Sequence, residues 1–194
     1  MSKKAIVLLA EGFEEVEAVT PIDYLRRAGI EVIIAAICDG GVADTTGSLA
    51  VKGARGIAIN ADITLQEFVT GQKTAWDTVI IPGGMPGASN VAASKEAEAL
   101  ILYTALAGKP VCAICASPAV VLAPLGLLSG KKFTCYPGME EKVRDGKYTD
   151  ESVVIDDNVI TSRGAGTAGA FAVAIIGQLL GKAEGDKIAK AVLL

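Results

Sequence analysis

Lys109-Pro-Val-Cys-Ala-Ile-Cys-Ala-Ser-Pro118 passes from a short apolar run through Cys115 into small residues and a proline. The run reads as a buried strand, and proline suits the first turn of a helix, where an N–H has no partner to lose. A strand that turns so sharply into a helix is an α/β signature, and it lifts the side chain at the turn out of the sheet as a nucleophile elbow does. Here that side chain is a thiol. It is set beside the free N–H groups of a helix start, whose partial positive charge is expected to lower its pKa and populate the thiolate. Cys115 is therefore the candidate centre of function.

The same alternation extends in both directions. Strands are predicted at Ala5–Leu9, Glu31–Ala36, Thr78–Ile81, Pro110–Ile114 and Val159–Thr161. Helices are predicted at Glu14–Ala28, Leu65–Val69, Lys95–Ala107, Ser117–Leu125, Met139–Asp145, Thr167–Leu180 and Gly185–Ala191. Such alternation implies a mostly parallel sheet covered on both faces, with right-handed crossovers. Short glycine-rich β segments between Gly40 and Ala61 suggest a hairpin on the sheet's edge. Val153–Ile155 and Val159–Thr161, around Asp156-Asp157-Asn158, suggest a second. No linker, repeat or low-complexity tract divides the chain, so residues 1–194 read as one domain.

Composition narrows the function classes. The 194 residues are 51% hydrophobic, enough to bury a full core. Eighteen basic residues against 22 acidic ones give a net charge of −4, and the basic residues are scattered. No basic stripe marks a nucleic-acid partner. Four cysteines without an extracellular leader point to a reducing, cytoplasmic setting in which thiols act rather than cross-link. The opening apolar run meets Glu11 at once and reads as a core strand, not a signal peptide. Pro110–Gly130 and Gly164–Gly181 carry no charge, but prolines and glycines interrupt them. Neither holds the roughly 20 strongly apolar residues of a membrane span, so no membrane association is expected.

Ligands of parallel sheets bind at the carboxyl ends of the strands. There the sequence places Glu11-Gly-Phe-Glu-Glu-Val-Glu17, Pro82-Gly-Gly-Met-Pro-Gly87, Cys115 with Ser117, and Ser162-Arg-Gly-Ala-Gly-Thr167. Glu14 and Glu17 share a helix face. Glu14 and Glu15 also fit the general preference for acid in a first turn. Glu17, flanked by Val16, Ala18 and Val19, reads as a buried carboxyl with a raised pKa. Beside Cys115 it would donate a hydrogen bond to the sulfur and share one proton with it. The chain has no histidine, which removes any internal Cys-His triad and histidine-containing zinc sites. Proton transfer must fall to Glu17, a tyrosine or water. No metal and no cofactor is expected, since Gly164-Ala-Gly166 lacks the later glycine of a dinucleotide fingerprint.

Gly83-Gly84 reads either as a tight turn or as a device that lets the Gly84 N–H approach the reacting centre. In the second case it would form an oxyanion hole with the N–H that follows Cys115. Arg163 reads as an anion site or a structural ion pair. Cys112 and Cys115 lie three apart along a strand and should point to opposite faces, against a redox pair. Cys38 and Cys135 read as buried strand thiols.

Four segments carry a family resemblance: Glu11-Gly-Phe-Glu-Glu-Val-Glu-Ala18, Ile80-Ile-Pro-Gly-Gly84, Ala113-Ile-Cys-Ala-Ser-Pro118 and Thr161-Ser-Arg-Gly-Ala-Gly-Thr167. In order, across nearly the whole chain, they resemble the ThiJ/PfpI superfamily, and within it the branch of the parkinsonism-associated protein deglycase (DJ-one). The resemblance implies a flavodoxin-like α/β/α sandwich of the class I glutamine amidotransferase type, and a homodimer with its site near the subunit interface. It implies that Cys115 is an oxidation-sensitive nucleophile, Glu17 its hydrogen-bond partner, and Gly84 and Ala116 its backbone donors. Glu14 and Gly83 would support the site, while Arg27 and Arg55 fall where the branch has arginines near the dimer contact. Tyr136 stands where many members carry a histidine, Ser117 at the place of the usual small residue before the elbow proline, and Ala165 where a proline is usual. Gly53 and Asn60 fall near two peripheral cysteines of the animal proteins. The peptidase activity of some relatives needs the histidine and is not expected here.

Two function classes follow. In the first, Cys115 and Glu17 act on a small-molecule aldehyde or a glycated substrate, as a glutathione-independent glyoxalase or deglycase. In the second, oxidation of Cys115 switches a redox sensor or chaperone.

Overall fold

The computed structural model describes residues 2–38, 49–71 and 75–194. In chain order its elements are β1 (Lys4–Ala10), α1 (Glu15–Arg27), β2 (Glu31–Ile37), β3 (Ala50–Lys52), β4 (Ala58–Asn60), β5 (Ile63–Thr64), α2 (Leu65–Thr70) and β6 (Thr78–Ile81). They continue with α3 (Gly87–Ala93), α4 (Lys95–Leu106), β7 (Val111–Ile114), β8 (Lys132–Phe133), β9 (Lys147–Tyr148), β10 (Val153–Asp156), β11 (Val159–Ser162), α5 (Ala168–Leu180) and α6 (Lys182–Ala191).

The central sheet has the order β10-β11-β7-β6-β1-β2-β5, parallel throughout except for the β10–β11 hairpin. This is the predicted flavodoxin-like architecture. Its middle strands are continuous apolar runs because both of their faces are covered. Ala5, Val7, Leu9, Ile80 and Ile114 pack with Leu25 of α1 and Phe171, Ala172 and Ile175 of α5. Ile6, Leu8, Val79, Ile81 and Val111 pack on the other face with Phe68 of α2 and Leu100 and Ile101 of α4.

Register sets the site. Val7 is level with Ile80, Ile81 with Ala113, and Ser162 with Ile114. The segments after β1, β6, β7 and β11 therefore emerge together. β1 leads outward to β2 on one side, whereas β6 leads to β7 on the other, so these segments surround the point where the connections diverge. That crevice is where ligands of open α/β sheets bind.

Several expectations need correction. Of the Gly40–Ala61 hairpin, residues 40–48 lie outside the described residues. β3 and β4 form a separate two-stranded ladder rather than an edge of the main sheet, whose edges are β10 and β5. The ladder docks on the turn after β1, through Gly12 N–H to the Lys52 carbonyl at 2.8 Å and Ala54 N–H to the Phe13 carbonyl at 2.8 Å. The helix predicted at Met139–Asp145 shrinks to one 3₁₀ turn at Glu140–Lys142, because a segment so short between Gly138 and Gly146 cannot repay helix nucleation. The helix predicted at Ser117–Leu125 is a π turn at Pro118–Leu122, closed by Ala123 N–H on the Pro118 carbonyl at 3.0 Å. Cys38 lies half-buried just past β2, and Cys135 is buried but follows β8 rather than lying in it.

Phe171 has no exposed surface at the centre of the α5 contact. Phe171→Ala is expected to lower the unfolding free energy by about 3–5 kcal/mol, read from urea denaturation.

Candidate functional site

Cys115 directly follows β7 with φ 64°, in the left-handed region that side chains with a Cβ seldom occupy. The strain is held from both sides. Cys115 N–H donates to the Ser162 carbonyl at 2.9 Å, and its own carbonyl accepts from Tyr136 N–H at 2.8 Å. The turn aims the sulfur at the backbone N–H groups of Gly84 and Ala116, both of which hydrogen-bond to it, and at the Glu17 carboxyl.

Glu17 comes from the first turn of α1 and is only 1% exposed. Its Oε2 accepts Gly83 N–H at 2.8 Å. Glu14 caps the helix, its Oε2 accepting Glu17 N–H at 2.8 Å, and Glu14 N–H donates to the Gly83 carbonyl at 2.9 Å. Gly83 has to be glycine, since a Cβ there would lie 2.6 Å from both the Cys115 Cβ and Glu17 Oε2. Gly84 adopts φ 88°, and a Cβ on it would collide with the Gly12–Glu14 backbone. The two readings of the Gly-Gly pair thus coexist: a tight turn that also brings a backbone donor to the sulfur.

Burial pushes the Glu17 carboxyl up to about 7, with Glu14 adding to the rise and the Cys115 and Gly83 hydrogen bonds opposing it. For the thiol, burial comes first and the Glu17 charge second, and they push it up to about 12. The Gly84 and Ala116 donors pull down, as the elbow predicts, but they are outweighed. The expectation of a thiol lowered by the helix start alone is therefore overturned, because desolvation is the larger effect. Sulfur and carboxyl form one coupled pair. Below about pH 7 it holds two protons, and above that a single proton is shared. A thiolate arises in the tautomer whose carboxyl keeps that proton, with two backbone donors already at the sulfur.

Tyr136 and Gly164 stand at the margin. Tyr136 is 54% exposed, and a Cβ on Gly164 would lie 3.7 Å from its ring and 3.8 Å from Glu17 Oε1. Gly164 thus lies between the Tyr136 ring and the Glu17 carboxyl. The arginines are not brought to the sulfur. Arg27 pairs with Asp23 at 2.6 Å on the exposed side of α1. Arg163 pairs with Asp150 at 2.5 Å, the ion-pair alternative. Arg55 enters through its backbone N–H, which donates to Glu15 Oε1 at 2.6 Å. Cys112 is fully buried with its sulfur 3.3 Å from the Thr78 hydroxyl, away from the Cys115 cluster.

Glu15 is the residue that sequence reasoning undervalued. It is 4% exposed and also accepts Ile57 N–H at 3.3 Å, so its carboxylate fastens the β3–β4 turn to the start of α1. An acidic residue in a first turn gives no sign of this, but Gly53 does, because a Cβ there would strike the Glu15 carboxyl. Among the described residues no group of three or more His, Cys, Asp or Glu side chains could hold a metal ion. Nor is any described helix long and apolar enough to cross a membrane.

Residues 3–178 match the model of the DJ-1/PfpI family. Protein DJ-1 homolog B of Arabidopsis thaliana is 40% identical over 189 residues, 97% of this chain and 41% of that protein. The chain spans less than half the length of the two Arabidopsis relatives it matches, 41% and 45%. Protein dj-1beta of Drosophila melanogaster is 39% identical over 196 residues, 100% of this chain and 98% of that protein. The crystal structure of that Drosophila protein superposes with a TM-score of 0.89 at 39% identity, covering 100% of this chain and 99% of the other. Glutathione-independent glyoxalase DJR-1.2 of Caenorhabditis elegans is 35% identical over 195 residues, 99% of this chain and 97% of that protein. A structure of oxidized Toxoplasma gondii DJ-1 superposes with a TM-score of 0.90 at 35% identity, covering 99% and 98% of the two chains.

The coupled pair has a direct readout. Alkylation of Cys115 by iodoacetamide should rise through a step near pH 7, where the pair loses its first proton. In Glu17→Gln that step should vanish. The remaining thiol, freed of the Glu17 charge but still raised by burial, should react at least as fast as wild type at neutral pH and keep gaining through alkaline pH, followed by mass spectrometry.

Proposed function

As the chain belongs to the DJ-1/PfpI family, we propose that it converts reactive 2-oxoaldehydes to hydroxy acids with a cysteine–carboxyl pair and no cofactor. The observation that supports this most is the sulfur of a left-handed Cys115 held against the buried Glu17 carboxyl, with the Gly84 and Ala116 N–H groups beside it. The C. elegans relative named as a glutathione-independent glyoxalase supports it further.

In this reading the Cys115 thiolate attacks the aldehyde carbon of methylglyoxal, forming a C–S bond, and the oxyanion takes up a proton to give a hemithioacetal. Glu17 as carboxylate removes the hydrogen from that carbon, leaving an enediol, and returns the proton to the adjacent former ketone carbon. The first carbon becomes a thioester carbonyl. Water then cleaves the thioester, releasing lactate and regenerating the thiol. A group poised near neutrality suits both halves of this transfer. The Gly84 and Ala116 N–H groups are placed to receive the charge that develops beside the sulfur.

The reading includes a single domain over residues 1–194, a cytoplasmic setting, and a homodimer formed partly through α1. Val16 and Val19 of that helix are 48% and 47% exposed, an apolar pair that favours a partner face. Tyr136, in the place of a histidine, would shape which aldehyde or glycated substrate enters.

A second reading has its own support. Cys115 is partly exposed whereas Cys112 and Cys135 are fully buried, and the two N–H donors with protonated Glu17 suit an oxidised sulfur. One peroxide would convert the thiolate to a sulfenate with release of water, and a second would convert that to a sulfinate. Such a product would switch a sensor or chaperone.

Lactate formation from methylglyoxal without glutathione tests the first reading. Wild type should turn over and Cys115→Ser should lose at least about a hundredfold in kcat/KM. Absence of turnover by folded wild type would defeat it. For the second reading, mild peroxide should add two oxygens to Cys115 before Cys38, Cys112 or Cys135 gains any, read by peptide mass spectrometry.

A further inference from the structure

Ser117 does not touch the reacting pair, yet it reaches it through one peptide unit. Its hydroxyl donates to the Pro82 carbonyl at 2.6 Å, and both residues are buried. That carbonyl shares its peptide plane with Gly83 N–H, which donates to Glu17 Oε2 at 2.8 Å. The result is a continuous chain from the Ser117 hydroxyl through the Pro82–Gly83 peptide to the Glu17 carboxyl. Drawing electron density onto the carbonyl oxygen makes the N–H of the same peptide a stronger donor.

The peptide is also the hinge of the donor loop. The next N–H along, that of Gly84, goes to the Cys115 sulfur, and the Gly83 carbonyl accepts Glu14 N–H at 2.9 Å. Ser117 lies two residues beyond Cys115, so its hydroxyl ties the elbow to the loop that faces it. We propose that Ser117 is a positioning residue that sets the Cys115–Glu17 pair by orienting and polarising the Pro82–Gly83 peptide. This rests on the reading of those two side chains as one proton-sharing pair.

A purely structural hydroxyl would do no more than satisfy a buried carbonyl. Its loss would lower thermal stability and leave the pair untouched. The proposal demands more. The Gly83 bond favours the ionised carboxyl, so weakening it must move the first titration step of the pair upward.

The test is the pH profile of Cys115 alkylation by iodoacetamide in wild type, Ser117→Ala and Ser117→Gly, with Tm measured alongside. Both variants should move the step near pH 7 upward by about 0.2–0.6 pH unit. Two variants of different size keep the test in hand if one fails to fold. A step that stays in place while Tm falls overturns the proposal and leaves Ser117 a structural residue. A wild-type profile without that step overturns the pair and this proposal together. A displaced step in a protein that makes no lactate from methylglyoxal defeats the glyoxalase reading alone and leaves the role of Ser117 standing.

Discussion

Holding the Glu17 carboxyl out of water beside a thiol is the constraint on which the rest of the site depends. A buried carboxylate without partners costs several kcal/mol, and a second ionisable group next to it deepens the problem. The chain answers by supplying donors from separate strands. Gly83 N–H serves the carboxyl, and Gly84 and Ala116 N–H groups serve the sulfur. Sharing one proton between the two groups then avoids a pair of adjacent buried charges. Gly83 follows from the same crowding, since a Cβ there would strike both side chains, whereas Gly84 and Gly87 are required by their close approach to the Gly12–Glu14 backbone.

The supports reach further than the sulfur's immediate neighbours. Glu15, one position from Glu14 and two from Glu17, uses its carboxylate to fasten the β3–β4 turn, while Gly12 and Phe13 hold the same ladder by their backbones. The segment carrying all three glutamates is thus clamped between the main sheet and a small accessory ladder. That explains how a helix can begin with two carboxyls buried at 4% and 1% exposure and still keep one geometry.

The centre of this fold was legible in the sequence because strands covered on both faces are apolar without interruption, as β1, β6 and β7 are. Elements whose existence depends on tertiary contacts were not. α3 contains Gly87, Ser89 and Asn90, poor helix formers, and its register is set by Gly87 N–H on the Gly12 carbonyl at 3.2 Å. β8 and β9 are two residues each and carry no periodicity. At the site, Cys115 and Glu17 could be read locally, one from the elbow and the other from its apolar neighbours. The partner of Ser117 lies 35 residues away, and nothing local announces it. The direction of the thiol shift also escaped, because a helix start is visible in a sequence and the depth of burial is not.

The left-handed turn at Cys115 sets protein stability against chemistry. Glycine relaxes a backbone at φ 64° whereas any residue with a Cβ pays about 1 kcal/mol to remain there. Glycine at this position would relieve the strain but remove a side chain that packs against both core clusters, so the two effects oppose each other. The backbone at this turn thus favours the one residue that has no side chain to hold there.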